Sequence, residues 1–224
     1  MSSPGFAIRT LTEGDGPQLV PFLRRFFLRD EPLNAAVGIM ADGQGSSPEQ
    51  EGFCLEALPE GLSLQAVDTE SGNLLGVSLS RLHQPGLEVE AVRSAEACPD
   101  PAFRKILRLI AFVDLQVSEK LRSLFPGADL RQVEVQVVSV DTATRGRGVA
   151  KTLIDHTRKL AKDRGIPLVR IDCSSVFSAR AVERLGFQKV FSLKYDSYRP
   201  DGEVVFTPSE QAGDEYRTYI QRVI

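Results

Sequence analysis

The sequence predicts an α/β domain built on a mixed, partly antiparallel sheet. Three observations carry that reading. From Val133 onward, short β-branched runs alternate with segments of helical period. Earlier, residues 62–67 and 74–81 flank Glu70-Ser71-Gly72-Asn73, which is a hairpin signal. Between Gln136 and Ala150, QVVSVDTATRGRGVA, an apolar strand runs into an Arg/Gly turn and on into an amphipathic segment. The hairpin demands antiparallel pairing and the alternation favours parallel pairing, so one sheet has to hold both.

The elements follow in order. Phe6–Thr10 reads as a first strand. Thr12 suits a cap for a helix from Glu13, with Leu19, Val20, Leu23, Phe26 and Phe27 at helical spacing. Pro32 disfavours a helical Glu31 and suits the first turn of a new helix. Residues 42–50, DGQGSSPEQ, read as a loop, and residues 88–100 as irregular. Residues 103–124 carry Phe103, Ile106, Leu107, Ile110, Val113, Val117 and Leu121 on one side of a long helix, ended at Phe125-Pro126-Gly127. Then come a strand over 133–140, a helix over 149–164 closed by Gly165, and a strand over 168–172. A helix over 176–185 ended by Gly186 and a strand over 187–195 follow, with Val204-Val205-Phe206 as a last edge strand.

Bulk properties exclude several classes. The 224 residues fit one domain over 1–224. Net charge is −3, with no basic block to mark a nucleic-acid or anionic-membrane binder. No apolar run approaches the ~18–20 residues of a membrane span, and MSSPGFAIRT lacks the charged start and apolar stretch of a signal peptide. Cys54, Cys98 and Cys173 cannot all pair within one chain and lack metal-ligand spacing, so they read as free thiols in a reducing cytosol. His83 and His156 lie far apart, which argues against zinc; both are expected at the surface. The expectation is a cytoplasmic monomer with no metal, no nucleic-acid partner and no membrane partner.

The strand, glycine loop and helix start of residues 136–150 make an anion-binding device. Glycine lets backbone approach a ligand, and a helix N-terminus presents unpaired N–H groups to phosphate. A P-loop ends in Gly-Lys-Ser/Thr; here Lys151-Thr152 follows Val149-Ala150, and the glycines are too few. A dinucleotide fingerprint needs three glycines at fixed offsets, and only Gly146 and Gly148 are present. A plain strand-to-helix turn is the remaining alternative.

Arg145-Gly146-Arg147-Gly148-Val149-Ala150 matches the Arg/Gln-x-x-Gly-x-Gly/Ala signature of the GNAT superfamily of N-acetyltransferases. Some thirty residues on, Ser178-Ala179-Arg180 leads into Glu183-Arg184-Leu185-Gly186-Phe187, which resembles that superfamily's second coenzyme A motif. Phe26-Phe27-Leu28-Arg29-Asp30-Glu31-Pro32-Leu33-Asn34, Ser139-Val140-Asp141, Cys173-Ser174-Ser175 and Gly202-Glu203-Val204-Val205-Phe206 resemble the insect arylalkylamine (dopamine-type) N-acetyltransferases. The resemblance runs from about Phe6 to Phe206.

The resemblance implies the GNAT fold, with a splay in the sheet that admits acetyl-CoA as cosubstrate. The coenzyme's pyrophosphate would rest on the N–H groups of Arg145, Gly146, Arg147, Gly148, Val149, Ala150 and Lys151. Its pantetheine arm would pair like a strand against Val138, Ser139 and Val140, with the N–H near Val140 polarising the thioester carbonyl. Glu31 matches the family's catalytic glutamate and would deprotonate the amine. Ser178 would contact the coenzyme and supply a proton, and Ser174 would help in proton transfer; helix capping is the alternative for both. Val182 stands where many superfamily members carry a tyrosine acid, and Tyr195 and Tyr198 read as packing. Asp30 could raise the pKa of Glu31 if the two side chains point the same way.

Cys173 reads as a buried thiol rather than a nucleophile. Phe26, Phe27 and Phe191 are either pocket walls or core. The implied acceptors are arylalkylamines such as dopamine, serotonin, octopamine or tyramine. The alternative is a polyamine or agmatine, which an additional acidic pocket lining would favour; Asp42, Glu49 and Glu51 are available carboxylates. A reading of another class is a non-catalytic acyl-CoA-binding module.

Overall fold

A computed structural model describes residues 5–39 and 47–224. One seven-stranded sheet runs through it in the order β1-β2-β3-β4-β5-β7-β6. The strands are β1 (Phe6–Thr10), β2 (Leu64–Asp68), β3 (Leu74–His83), β4 (Gln132–Val140), β5 (Leu168–Cys173), β6 (Gln188–Lys194) and β7 (Glu215–Arg222). Only β4 and β5 pair in parallel; the other five neighbouring pairs are antiparallel. The expected mixed sheet is present, and the hairpin joins β2 to β3 as read.

Helices cover both faces. On one face lies α5 (Pro101–Leu124), whose Phe103, Ile106, Leu109, Val113, Val117 and Leu121 pack with Leu168 and Ile220 of the sheet. The Asp100 side chain caps it, accepting from the N–H groups of Ala102 and Phe103 at 2.8 and 3.1 Å. On the other face, α6 (Val149–Asp163) and α7 (Val176–Arg184) bury Ile154, Ala161, Ala179 and Val182 against Val133, Val135, Val169 and Ile171. Strand alternation therefore sends Val169 and Ile171 to α6 and α7, and Leu168 and Arg170 to α5. No helix among the described residues is long and apolar enough to cross a membrane.

Several expectations need correcting. Residues 88–97, read as irregular, form α4 (Glu88–Ala97). The segment has little apolar periodicity but is rich in Ala and Glu, good helix formers that fold once α5 is there to pack on. The loop read over 42–50 ends earlier: α3 (Pro48–Leu55) starts within it, capped by Ser47, whose hydroxyl accepts from Gln50 N–H at 3.2 Å. Asp42 lies outside the described residues.

Val204-Val205-Phe206 is no strand. Phe206 is instead core, beside the rings of Tyr195 and Tyr198. The further strand is β7, inserted between β5 and β6; its Arg217, Thr218 and Gln221 hide its strand character in sequence. The three cysteines are free and buried. His156 is exposed as expected, but His83 is buried, because β3 is an interior strand there and α5 covers it.

The α5 side of the core contains a charged layer. Arg170 is fully buried on β5. Its guanidinium meets Asp114 of α5 at 2.7 Å and Asp172, two residues along the same strand face, at 2.5 Å. Replacing Arg170 by Met would strand two buried carboxylates. We expect Arg170→Met to lose about 3–5 kcal/mol of unfolding free energy, measured by denaturant titration; a loss under about 1 kcal/mol would contradict this account.

Candidate active site

β4 and β5 pair only from Gln132–Leu168 to Val135–Ile171. Beyond that point each continues with its other neighbour, β4 with β3 to Val140 and β5 with β7 to Cys173. The parting coincides with a bulge: Leu79 faces Val137 and Ser80 faces Val135, so Gln136 is an extra residue in β4. A cavity of about 750 Å³ fills the split, lined on its strand edges by Gln136, Val137, Val138, Ile171 and Asp172. This is the splay that the sequence led us to expect.

On the α6 and α7 side, the cavity reaches the glycine loop. Asp141 caps the turn Thr142–Thr144, accepting from Ala143 N–H at 2.9 Å. Gly146 and Gly148 sit at φ 83° and 79°, in the left-handed region where other residues are strained. Gly148 is the N-cap of α6, so the first N–H groups of that helix have no intrahelical acceptor. Arg145, Gly146, Arg147, Gly148 and Ala150 are exposed, and Arg145 and Ala150 line the cavity.

Val149 is buried; a Cβ on Gly76 of β3 would approach its Cγ1 to 2.9 Å, so glycine there lets α6 sit close on the sheet. Lys151 pairs with Asp155 at 2.5 Å, and Arg147 lies 3.8 Å from Asp68. Of the three β4 residues named from the sequence, Val138 lines the cavity. Ser139 turns its hydroxyl away to donate to the Phe26 carbonyl at 3.0 Å, and Val140 packs among Phe6, Leu64 and Val149.

Glu31 is delivered by backbone geometry. After α1 (Gly16–Leu23) the helix widens into a π-helical turn over Arg24–Leu28, which brings Phe26 and Phe27 to the cavity. Such turns are frequent at functional sites. Glu31 then takes an extended conformation before Pro32 and becomes the N-cap of α2 (Pro32–Val37). Its carboxyl accepts from Leu33 N–H at 3.2 Å and from the Ser174 hydroxyl.

Burial raises the Glu31 pKa, and these two hydrogen bonds only partly oppose it. The residue keeps an edge on the cavity while its carboxyl lies deep in protein. Burial, not Asp30, is therefore the cause: the Asp30 carboxylate turns to Arg29 at 3.2 Å. Sequence reasoning missed what holds α2 in place. Buried Asn34 and Gln50 join α2 to α3 through a reciprocal amide pair at 2.7 and 3.2 Å, and Asn34 also donates to the Leu28 carbonyl at 2.8 Å.

The serines divide their work differently from the capping alternative. Ser175, not Ser174 or Ser178, caps α7, accepting from Ser178 N–H at 3.1 Å. The Ser178 hydroxyl lies 2.9 Å from Ser175 Oγ and donates to Ser175 O at 3.0 Å. Ser174 and Ser178 both line the cavity, one beside Glu31 and the other on the α7 wall. Tyr195 is buried and donates its hydroxyl to the Ser174 carbonyl at 2.9 Å, so it also braces the site. Burial pushes the Cys173 thiol up to about 12, which suits an inert core residue.

On the α5 side the cavity is walled by Phe26, Phe27, Leu33, Phe53, Phe103, Ile106 and Ile110. Phe191 does not join them; it packs into the core beneath α5. Two acids that the sequence did not single out line this half, Glu134 and Asp172. Alternation on β4 and β5 carries them to the α5 face, a placement that appears only once the strands are aligned. Glu49 and Glu51 do not line the cavity; Glu51 pairs with Arg24 at 2.5 Å.

The arrangement is a channel through a sheet. One mouth offers helix N–H groups and glycine backbone, the other an apolar room with carboxylates, and Glu31 and Ser174 meet between them. Comparison with known proteins fits this layout. Residues 102–187 match the model of the acetyltransferase (GNAT) family, whose members use acetyl-CoA as cosubstrate. Arylalkylamine N-acetyltransferase 2 from Aedes aegypti is 29 % identical, with 98 % of this chain and 99 % of that chain covered and a TM-score of 0.85. The polyamine N-acetyltransferase of Drosophila melanogaster, described as catalysing formation of N-acetylagmatine, is 23 % identical, with 97 % and 99 % covered and a TM-score of 0.83. Arabidopsis thaliana NAA60, in complex with acetyl-CoA, shares the fold at 14 % identity, with 97 % and 98 % covered and a TM-score of 0.56. Residues 102–187 thus match the GNAT acetyltransferase family model, and the fold around them is shared with the Aedes aegypti enzyme along nearly the whole chain.

Proposed function

We propose that this chain, as a single domain, transfers the acetyl group of acetyl-CoA directly to the primary amine of a small acceptor, with Glu31 as general base. The observation that carries the reading is the position of the Glu31 carboxyl. It is buried, hydrogen-bonded by Ser174, and set on the cavity that fills the β4–β5 split. The loop from Arg145 to Lys151 would take the coenzyme's pyrophosphate, where the helix dipole opposes its charge. Val138, Ser139 and Val140 would take the pantetheine arm along the β4 edge that β5 has left. An amine with a pKa near about 10 arrives protonated, by analogy with lysine. A carboxylate of raised pKa beside the cavity is suited to remove that proton, directly or through water. Ser174 would orient Glu31 and pass the proton on, and Ser178 would contact the coenzyme and protonate the departing thiolate.

The acceptor we propose first is an arylalkylamine. The aromatic wall of Phe26, Phe27, Phe53 and Phe103 supports it, as does the 29 % identity to the Aedes aegypti enzyme of that name. A second reading, an agmatine or polyamine acceptor, is favoured by one observation: Glu134 and Asp172 add carboxylates to the lining.

A steady-state assay with acetyl-CoA and a panel of arylalkylamines, diamines and agmatine tests transfer itself. Absence of turnover with every amine would favour a non-catalytic acyl-CoA-binding module. Glu31→Gln should lower kcat by roughly 10²–10⁴-fold, the usual worth of a general base, while the Kd for acetyl-CoA stays within about twofold. The base must be ionised to act, so wild-type kcat/KM should fall as pH drops through a limb lying above the ordinary carboxylate range. Glu31→Gln should erase that limb, and a variant as fast as wild type would rule Glu31 out.

Gly148→Ala tests the loop. The left-handed backbone would cost about 1–2 kcal/mol with a Cβ present. The Kd for acetyl-CoA should then rise by about tenfold by calorimetry, and an unchanged Kd would place the pyrophosphate elsewhere.

A further inference from the structure

One acid on the cavity has no hydrogen-bond donor among the described residues. Oxygens of Asp114, Glu134 and Asp172 lie within 4.8 Å of one another, around the Arg170 guanidinium. Arg170 faces both aspartates: Nη1 lies 2.7 Å from Asp114 as an ion pair, and Nε and Nη2 donate to Asp172 at 3.0 and 2.5 Å. Three carboxylates thus surround one internal cation, and the excess falls on Glu134. Its nearest basic atom is His83 Nδ1 at 3.8 Å, beyond hydrogen-bond reach. Burial lowers the His83 pKa, so that imidazole is neutral at pH 7. Among the described residues no donor hydrogen-bonds the Glu134 carboxyl. The residue is only 8 % exposed, and it lines the cavity.

We propose that the Glu134 carboxylate seats the second cationic group of an α,ω-diamine or guanidinoalkylamine whose primary amine faces Glu31. This rests on the acetyl-transfer reading above and deepens its second acceptor class rather than its first.

The strand register separates the two acids along the cavity. Glu134 stands opposite Arg170, whereas Glu31 lies beside Ser174, four residues further along that chain, so a ligand that meets both acids carries a chain between its two cationic ends. Phe103, Ile106 and Ile110 line the same half of the cavity, apolar surface suited to an alkyl chain.

Energetics point the same way. Burial and the charge of Asp114, only partly offset by Arg170, push the Glu134 pKa up to about 8. Ionising it without a partner is costly, and a cation delivered by the ligand removes that cost. A neutral chain end leaves the cost in place, and that difference is the source of discrimination.

The test compares 1,5-diaminopentane with pentylamine, which has the same chain and a methyl end. With wild-type protein, kcat/KM for the diamine should exceed that for pentylamine by about 10- to 100-fold, the worth of a charged hydrogen bond. In Glu134→Gln the ratio should collapse toward one or invert, with agmatine losing ground in parallel. A thermal melt of the variant shows whether it is folded, and the wild-type comparison needs no variant. Equal or better use of pentylamine by wild type overturns the assignment, as does a ratio that Glu134→Gln leaves intact.

If no amine is acetylated, the proposed function fails separately. Calorimetric binding of the same two amines to wild type and Glu134→Gln then decides the role of Glu134. Tighter binding of the diamine that depends on Glu134 upholds it, and equal binding overturns it.

Discussion

The molecule is organised by the parting of β4 and β5 after Val135 and Ile171. A parallel pair buried between two helical layers would ordinarily run on, because unpaired backbone inside a protein is costly. Here each strand keeps one neighbour, β3 or β7, so the sheet holds together while opening along one seam. The extra residue Gln136 bends β4 where the seam begins. The glycine loop follows the end of β4, the serines follow the end of β5, and α5 closes the room behind. The glycine loop and the serines reach the cavity because of where their strands leave the seam, and the N-terminus of α2 brings Glu31 to meet them.

The same seam places two kinds of carboxylate under different control. Glu31 sits on a helix N-terminus, where Leu33 N–H and Ser174 stabilise the anion even as burial destabilises it. Glu134 sits within the paired part of the sheet, where burial and the neighbouring Asp114 outweigh Arg170 and act against the anion. One acid is poised to exchange a proton; the other waits for a positive charge. Arg170 makes the contrast possible, since its guanidinium sets a positive charge against Asp114 and Asp172 in the core.

Much of this was legible in the residues. The hairpin around Gly72, the Pro32 helix start, the apolar stripe from Phe103 to Leu121 and the Gly146–Gly148 turn each rest on local rules, namely turn chemistry, fixed φ and helical period. Those rules act within a few residues and survive in any context. The misreadings share an opposite cause. α4 has little apolar stripe, β7 carries Arg217 and Gln221 among its apolar residues, and Phe206 is core without being strand. Each owes its form to what packs against it.

Sequence alone determined the chemical inventory and its local presentation: a glycine loop opening a helix after a strand, a glutamate fixed before proline, and serines at the start of a short helix. These follow from backbone sterics and hydrogen-bonding rules that need no partner. Tertiary structure decided which of those groups share a cavity. It turned Ser139 to the Phe26 carbonyl, gave the α7 cap to Ser175, sent Phe191 into the core, and carried Glu134, Arg170 and Asp172 to the α5 face. The physical reason is register. A strand's two faces are equivalent until its neighbours are chosen, and that choice depends on contacts between residues far apart in the chain.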